Sequence, residues 1–316
     1  MKTALSSAKN HSTSVRTARR VASSAVRVVS HRTTELASIR ELVRTARPHV
    51  AEVANARGNA YLYLYDSFVR ESPHKDVMRI VEKRFVDFGL SGKVIRITPF
   101  TNCRSLIEDE LRYGVKTVVI VGNDETVAKV MSRAADLDVV FGLIPIGKKG
   151  NDLAESLGIP LNEESCNTLA ARKIELLDYG VINNQRFFLT SLHIKNARLR
   201  ITCDNTFVVK ADKDNVELAV SNLLPSSIQG APTGLLHPQD GRLEVFIRPQ
   251  VSGVLSGLFN RRVYSKPSVF AFRRLLVSAA RPFDMATDGR ETQESSVEIT
   301  VASKKLKMIV GKERRF

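Results

Sequence analysis

From residue 61 onward the apolar positions fall into strand-length runs separated by amphipathic stretches. Residues 61–65 read Tyr-Leu-Tyr-Leu-Tyr, an apolar run of strand length. Residues 75–88 carry apolar positions at helical spacing and stop at Gly89. A second strand is predicted over 94–97 and a second helix over 105–112, stopped by Gly114. Residues 117–121 are a third strand, apolar almost throughout, as a parallel sheet covered on both faces requires. A turn at Gly122-Asn123-Asp124 leads into a helix over 126–135, then a strand over 139–144 and a helix over 152–157. Strands alternating with helices of this length predict a doubly wound α/β domain.

The rhythm changes after residue 176. Short β-type runs follow one another at 187–191, 199–202, 206–211, 217–220, 243–247, 270–277 and 297–301, with turn residues between them. They predict a mostly antiparallel β domain. A short helix is expected over 251–259, ahead of the basic turn Asn260-Arg261-Arg262. The expected organisation is an arm over 1–57, an α/β domain over 58–176 and a β-rich domain over 177–316.

The arm has its own pattern. Residues 1–34 contain no Asp or Glu, and small apolar residues such as Leu5, Ala8, Val15 and Ala22 recur at helical spacing between arginines. A basic amphipathic helix on anionic lipid headgroups has this composition. So does an organelle transit peptide, and so does a loosely helical arm with a solvated charged face. A further helix is expected over 35–47, ending before Pro48, with Arg57-Gly58-Asn59 as the linker.

Charge follows the same division. The chain of 316 residues carries a net charge of +15. Residues 1–57 hold eleven Lys or Arg against three Asp or Glu, a net +8, which leaves +7 for the other 259 residues. With the basic excess mainly in the arm, no Trp and no recognisable RNA- or DNA-binding motif, nucleic-acid binding ranks last among the functions considered. Cys103, Cys166 and Cys203 stand far apart without a CxxC pair, and the six histidines form no metal-binding spacing. Reduced buried thiols in a cytoplasmic setting are expected. No apolar run approaches the ~20 residues that span a bilayer, and the N-terminus lacks the continuous apolar stretch of a secretory signal.

Candidate chemistry lies at the ends of the third and fourth strands, where ligands bind in doubly wound sheets. One loop reads Val121-Gly122-Asn123-Asp124-Glu125-Thr126 and the other Pro145-Ile146-Gly147-Lys148-Lys149-Gly150-Asn151-Asp152. Glycines let the backbone approach a phosphate, and helix N-termini point N–H groups at an anion. Taken singly, Asp124 and Asp152 read equally well as helix caps, and Gly147 and Gly150 as turn formers.

Together the loops resemble those of the diacylglycerol and related lipid kinases, a family distantly akin to the sphingosine and NAD kinases. That family carries GGDGT after one strand and PxGTxND after the next. Gly122, Asp124 and Thr126 match the first motif, and Pro145, Gly147, Gly150, Asn151 and Asp152 the second. Leu177-Asp178-Tyr179-Gly180-Val181 resembles the strand that opens the family's β domain, Gln239-Asp240-Gly241-Arg242-Leu243-Glu244-Val245 its DDGxLDV segment, and Asp288-Gly289-Arg290 its DGE motif.

The resemblance implies transfer of the ATP γ-phosphate to a lipid hydroxyl with Mg2+ present. It implies nucleotide-binding roles for Gly122, Asp124, Thr126, Gly147, Lys148, Lys149, Asn151 and Asp152. Asp288 takes the general-base position and Asp240 that of a structural Mg2+ ligand, while Asp240-Gly241 also reads as an ordinary hairpin turn. The implied partner is a lipid substrate at an anionic membrane surface, reached from the cytoplasm as a peripheral protein. A second copy of the chain in a homodimer is a compatible assembly.

Three motifs depart from the family pattern. Asn123 and Glu125 stand where the first loop has glycines, Lys148 replaces Thr with Lys149 inserted beside it, and Arg290 replaces the Glu of DGE with Glu291 one place later. Two readings follow. Either Lys148 and Lys149 compensate Glu125 in a rearranged kinase site, or the chain has kept the fold as a catalytically silent binder of nucleotide or lipid. A Glu125 that simply faces solvent in the first turn of its helix is the plain alternative.

Overall fold

The structure, a computed structural model, describes residues 61–211, 216–223, 236–251, 263–264, 267–287 and 290–316. The arm, the helix expected over 251–259 beyond Val251, and Asp288 with Gly289 lie outside the described residues.

The first half is the predicted α/β layer. Strands β1 (Tyr61–Asp66), β2 (Gly92–Ile97), β3 (Thr117–Gly122) and β4 (Val140–Pro145) are parallel, in the spatial order β2-β1-β3-β4. Every residue of β3 is buried, which accounts for its uninterrupted apolar run. Helix α1 (Lys75–Asp87) covers one face through Met78, Val81 and Phe85, spaced to form a single stripe against Tyr61, Tyr63 and Val119. It ends where expected: Gly89 donates to the carbonyl of Val86 and Leu90 to that of Phe85, satisfying two carbonyls of the last turn. Helices α2 (Cys103–Arg112) and α3 (Asp124–Ala134) cover the other face. Helices α4 (Asp152–Ser156) and α5 (Ser165–Ala171) complete this half; the sequence pattern gave no sign of α5.

The crossovers leave β1 toward β2 on one side and β3 toward β4 on the other. The carboxyl ends of β1 and β3 therefore flank a crevice, the usual ligand position in such a sheet.

The second half is strand-rich and antiparallel. Strand β5 (Ile174–Ile182) is followed by β6 (Arg186–Phe188), β7 (Ser191–Ala197), β8 (Arg200–Cys203), β9 (Phe207–Lys210) and β10 (Val216–Ser221). Then come β11 (Leu243–Val251), β12 (Val263–Tyr264), β13 (Ser268–Phe272), β14 (Arg274–Thr287) and β15 (Arg290–Ile309). Ile194, Leu218, Val245, Leu275, Val277, Met285 and Ile299 belong to its core.

One feature differs from the expected chain of short strands. β14 has 14 residues and β15 has 20, and the two form one long antiparallel pair. The polar residues Gln293 to Ser296 hid this continuity, because a strand with one solvated face does not need an apolar run. β15 then pairs with β5 and reaches β4 in parallel register, Lys307 opposite Val140 and Met308 opposite Phe141. One sheet thus runs through both halves, and residues 59–316 form one compact unit. Among the described residues no helix is long and apolar enough to cross a membrane.

Candidate functional site

The two loops meet side by side, as their strands require. Gly122 pairs with Pro145, and the N–H of Ile146 donates to the Gly122 carbonyl at 2.8 Å. A β-carbon on Gly122 would stand 2.3 Å from the Thr126 hydroxyl oxygen, so only glycine fits.

Asp124 fastens one loop to the other. Its N–H donates to the Gly150 carbonyl at 2.8 Å. Its carboxylate accepts the N–H groups of Asp152 at 2.7 Å and Leu153 at 3.3 Å. Those N–H groups open helix α4 and have no partner within it, so an anionic acceptor is favoured there. The cap of the second loop's helix is therefore supplied from the first loop.

Asn123 caps its own helix. Its side chain accepts the Thr126 N–H at 3.1 Å, and its N–H donates to the Thr126 hydroxyl at 3.2 Å. The Thr126 hydroxyl oxygen lies 3.0 Å from both Asp66 Oδ2 and Asn123 Oδ1. With one hydrogen to give, it donates to the carboxylate, the stronger acceptor. Thr126 is fully buried, so it shapes the loop from beneath. Asp66 escaped the sequence reading. The available signal was its position as the acidic residue ending a fully apolar strand at the crevice.

In the second loop Gly147 and Gly150 adopt φ of +96° and +71°, conformations that side chains resist. The Gly147 N–H donates to Asn162 Oδ1, and Asn151 Nδ2 donates to the carbonyls of Gly147 and Lys149. Asn151 is buried, yet its Oδ1 has no hydrogen-bond donor among the described residues. Lys148, Lys149 and Glu125 are exposed. Among the described residues no ion pair joins Glu125 to either lysine. His74 packs against Gly147, its ring set edge-on to Phe68.

Asp240 lies in the turn before β11. It is exposed and accepts the Arg242 N–H at 2.9 Å. The fully buried Asp178 anchors that turn, accepting N–H groups from Gly241 at 2.7 Å and Lys304 at 2.5 Å. Nearby Glu244 is 5% exposed, and its acidity falls sharply. Burial, then the charges of Asp240 and Asp178, push it up to about 8, so it is mostly protonated at neutral pH. Among the described residues no group of three His, Cys, Asp or Glu gathers to hold a metal ion.

Thr287, the last described residue before Asp288, pairs with Leu192 of β7 and with Arg290 of β15. Where Asp288 stands relative to the two loops concerns a residue outside those described. Beside Leu192, Ser191 Oγ and His193 Nε2 lie 3.0 Å apart. No sequence motif marks this pair, which only the strand register brings to notice. A separate cleft of about 800 Å³ lies between Gly158, Thr168 and Lys312, and none of the predicted site residues lines it.

Residues 69–182 match the family model of the diacylglycerol kinase catalytic domain. The matched stretch holds both loops and ends before Asp240 and Asp288. A crystal structure of a diacylglycerol kinase from Bacillus anthracis str. Sterne superposes with a TM-score of 0.63 at 16% identity, covering 80% of this chain and 97% of that one. Two further structures from that organism, assigned provisionally to the same activity, give TM-scores of 0.64 and 0.63 at 16% and 17% identity. These cover 80% of this chain and 97% and 98% of theirs. At such identities the likeness establishes the fold. No curated protein sequence matches the chain significantly. The resemblance drawn from the loops is thus borne out by the family model, and the catalytic-domain match points to a kinase.

Proposed function

We propose that the protein is an ATP-dependent kinase that phosphorylates a lipid hydroxyl, with diacylglycerol the first acceptor to test. The observation that carries this reading is the pair of strand-end loops locked together by Asp124. They hold the turn from Gly147 to Gly150 at the crevice with Lys148 and Lys149 exposed to an incoming anion. In phosphoryl transfer the protein contributes mainly positioning and charge neutralisation.

In this reading Lys148 and Lys149 meet the phosphates, and Asn151 holds their turn by donating from Nδ2 to the carbonyls of Gly147 and Lys149. Gly122, Asp124, Thr126 and Asp152 hold the loop geometry. Mg2+ enters chelated to the phosphates and neutralises part of their charge; Asp66 and Asp124 are the carboxylates this rim offers it. Asp288 is the general base, and Asp240 belongs to a turn whose role is structural. Residues 1–57 attach the protein to anionic lipid. Calorimetric titration with Mg·ATP, then radiolabelled phosphate transfer to vesicles containing diacylglycerol, tests the reading. Nucleotide binding with labelled lipid supports it, and nucleotide binding without any transfer removes the kinase assignment.

A second reading has its own observation. The Asp124 carboxylate is engaged by two backbone N–H groups, the Thr126 hydroxyl is buried, and Asn123 adds a side chain where the family has glycine. A loop so occupied suits a silent member that binds nucleotide or lipid without turnover.

A further inference from the structure

The chain leaving β1 touches both strand-end loops. Asp66 lies 3.0 Å from the Thr126 hydroxyl of the first loop, and His74 packs against Gly147 of the second. One short stretch, residues 66–74, therefore bridges the two loops, and it contains no glycine. Ser67 and Arg70 are already engaged on it. The Ser67 hydroxyl donates to Asp66 Oδ1, and Arg70 pairs with Glu82 and lies over the Tyr65 ring. His74 differs from them. It immediately precedes α1, its N–H donates to the Glu71 carbonyl, and its side chain makes no capping bond to the helix. Among the described residues neither ring nitrogen has a hydrogen-bond partner.

The ring is half-buried and set edge-on to Phe68, at 78° with centroids 5.4 Å apart. Its Cε1 faces the second loop, 3.5 Å from where a β-carbon on Gly147 would stand. Cε1 is bonded to both ring nitrogens, so the polar edge of the imidazole is the edge nearest that glycine. Gly147, at φ +96°, has no side chain to cover it. Lys148 and Lys149 follow directly and are exposed. An imidazole in either protonation state carries at least one N–H. One turn thus brings together two ammonium-bearing side chains and a ring N–H donor.

We infer that His74 is a phosphate-binding residue, a ring N–H donating to a non-bridging phosphate oxygen of the nucleotide that Lys148 and Lys149 receive. This rests on the nucleotide-binding reading of the two loops given above. The stretch after β1 is then a third wall of the phosphate site, one that glycine spacing does not mark. The three residues contribute differently. A lysine acts as a point charge on a flexible stem, whereas a ring N–H donates along a fixed direction. Contact with Phe68 and Gly147 orders the ring before the ligand arrives, so little side-chain freedom is lost when the bond forms.

The test separates a donor from packing. Calorimetric titration with Mg·ATP should give a Kd about ten-fold higher in His74→Ala than in wild type. The amide nitrogen of Asn reaches the place of Nδ1 and that of Gln the place of Nε2. One of His74→Asn and His74→Gln should therefore stay within about three-fold of wild type. In protein labelled with 15N-histidine, the ring signal missing from His74→Ala identifies this residue. That signal should move when Mg·ATP is added and hold still with adenosine, which carries no phosphate. Equal losses in all three variants would mark a packing residue. An unchanged Kd in His74→Ala, or a signal that moves with adenosine as far as with Mg·ATP, would place the phosphates elsewhere. Each of these outcomes overturns the inference while the nucleotide reading stands. Wild-type protein that does not bind Mg·ATP overturns both.

Discussion

The carboxylate of Asp124 accepts the backbone N–H of Asp152 at 2.7 Å, so a residue of the first loop caps the helix of the second. Motif reading treats each loop as a unit, with its Asp as a ligand to the nucleotide or as a local cap. The structure makes Asp124 the joint between them, tying the start of α3 to the second loop and to the start of α4.

Replacing Asp124 by Ala should therefore cost stability as well as binding. Loss of a capping acceptor is worth about 0.5–2 kcal/mol. Urea denaturation should show a drop of that size, and Asp124→Asn, which keeps one acceptor oxygen, a smaller one. A variant as stable as wild type would mean that water caps α4 equally well.

Gly122→Ala tests the packing beneath the first loop. The added methyl would sit 2.3 Å from Thr126 Oγ1, and that threonine is fully buried. Overpacking of this kind typically costs about 1–3 kcal/mol. Thermal or urea unfolding reads it directly, and an unchanged midpoint would show that the loop can move aside.

Glu244 gives the fold a pH dependence. Its carboxyl rises from an ordinary 4.5 to about 8 in the folded chain. Between those values the folded protein holds a proton that the unfolded chain has released. Stability must then fall as pH rises through that window, by on the order of a few kcal/mol in all. Urea midpoints measured from pH 5 to pH 8.5 should decline in wild type and decline less in Glu244→Gln. Parallel curves for the two would place the titration elsewhere.

Much of the fold was legible because local pattern and tertiary burial agree. The buried strands β1, β3 and β4 are apolar over most of their length, and α1 and α2 end at glycines that close their last turns. The joining of the two halves was not legible. β15 returns to β4 after residues whose polar character signalled a loop, and long-range pairing leaves no periodicity in one strand's sequence. The site divides in the same way. Glycine spacing marked both loops, but Asp66 comes to the fore only through a hydrogen bond to a residue 60 positions away.

The charges on the two loops act on a bound nucleotide with opposite sign. A carboxylate about 4 Å from a phosphate charge costs roughly 4 kcal/mol at an effective dielectric near 20, but about 1 kcal/mol in water. Glu125 is exposed in the first turn of α3, where the helix dipole favours an acid, and among the described residues it pairs with neither Lys148 nor Lys149. The aqueous limit therefore applies, and salt screens it further. Glu125→Gly should tighten nucleotide binding by about five-fold or less. Lys148 and Lys149 are exposed too, but they sit on the turn held open by Gly147 and Gly150, where the backbone can approach an anion. Replacing both with Ala removes two cations from the rim and should weaken Mg·ATP binding by at least ten-fold, more at low ionic strength. Calorimetric titration of the variants at two salt concentrations measures both effects. A gain of about three orders of magnitude in Glu125→Gly would instead place that carboxylate against the phosphates. The compensated pair would then be the correct description of the site.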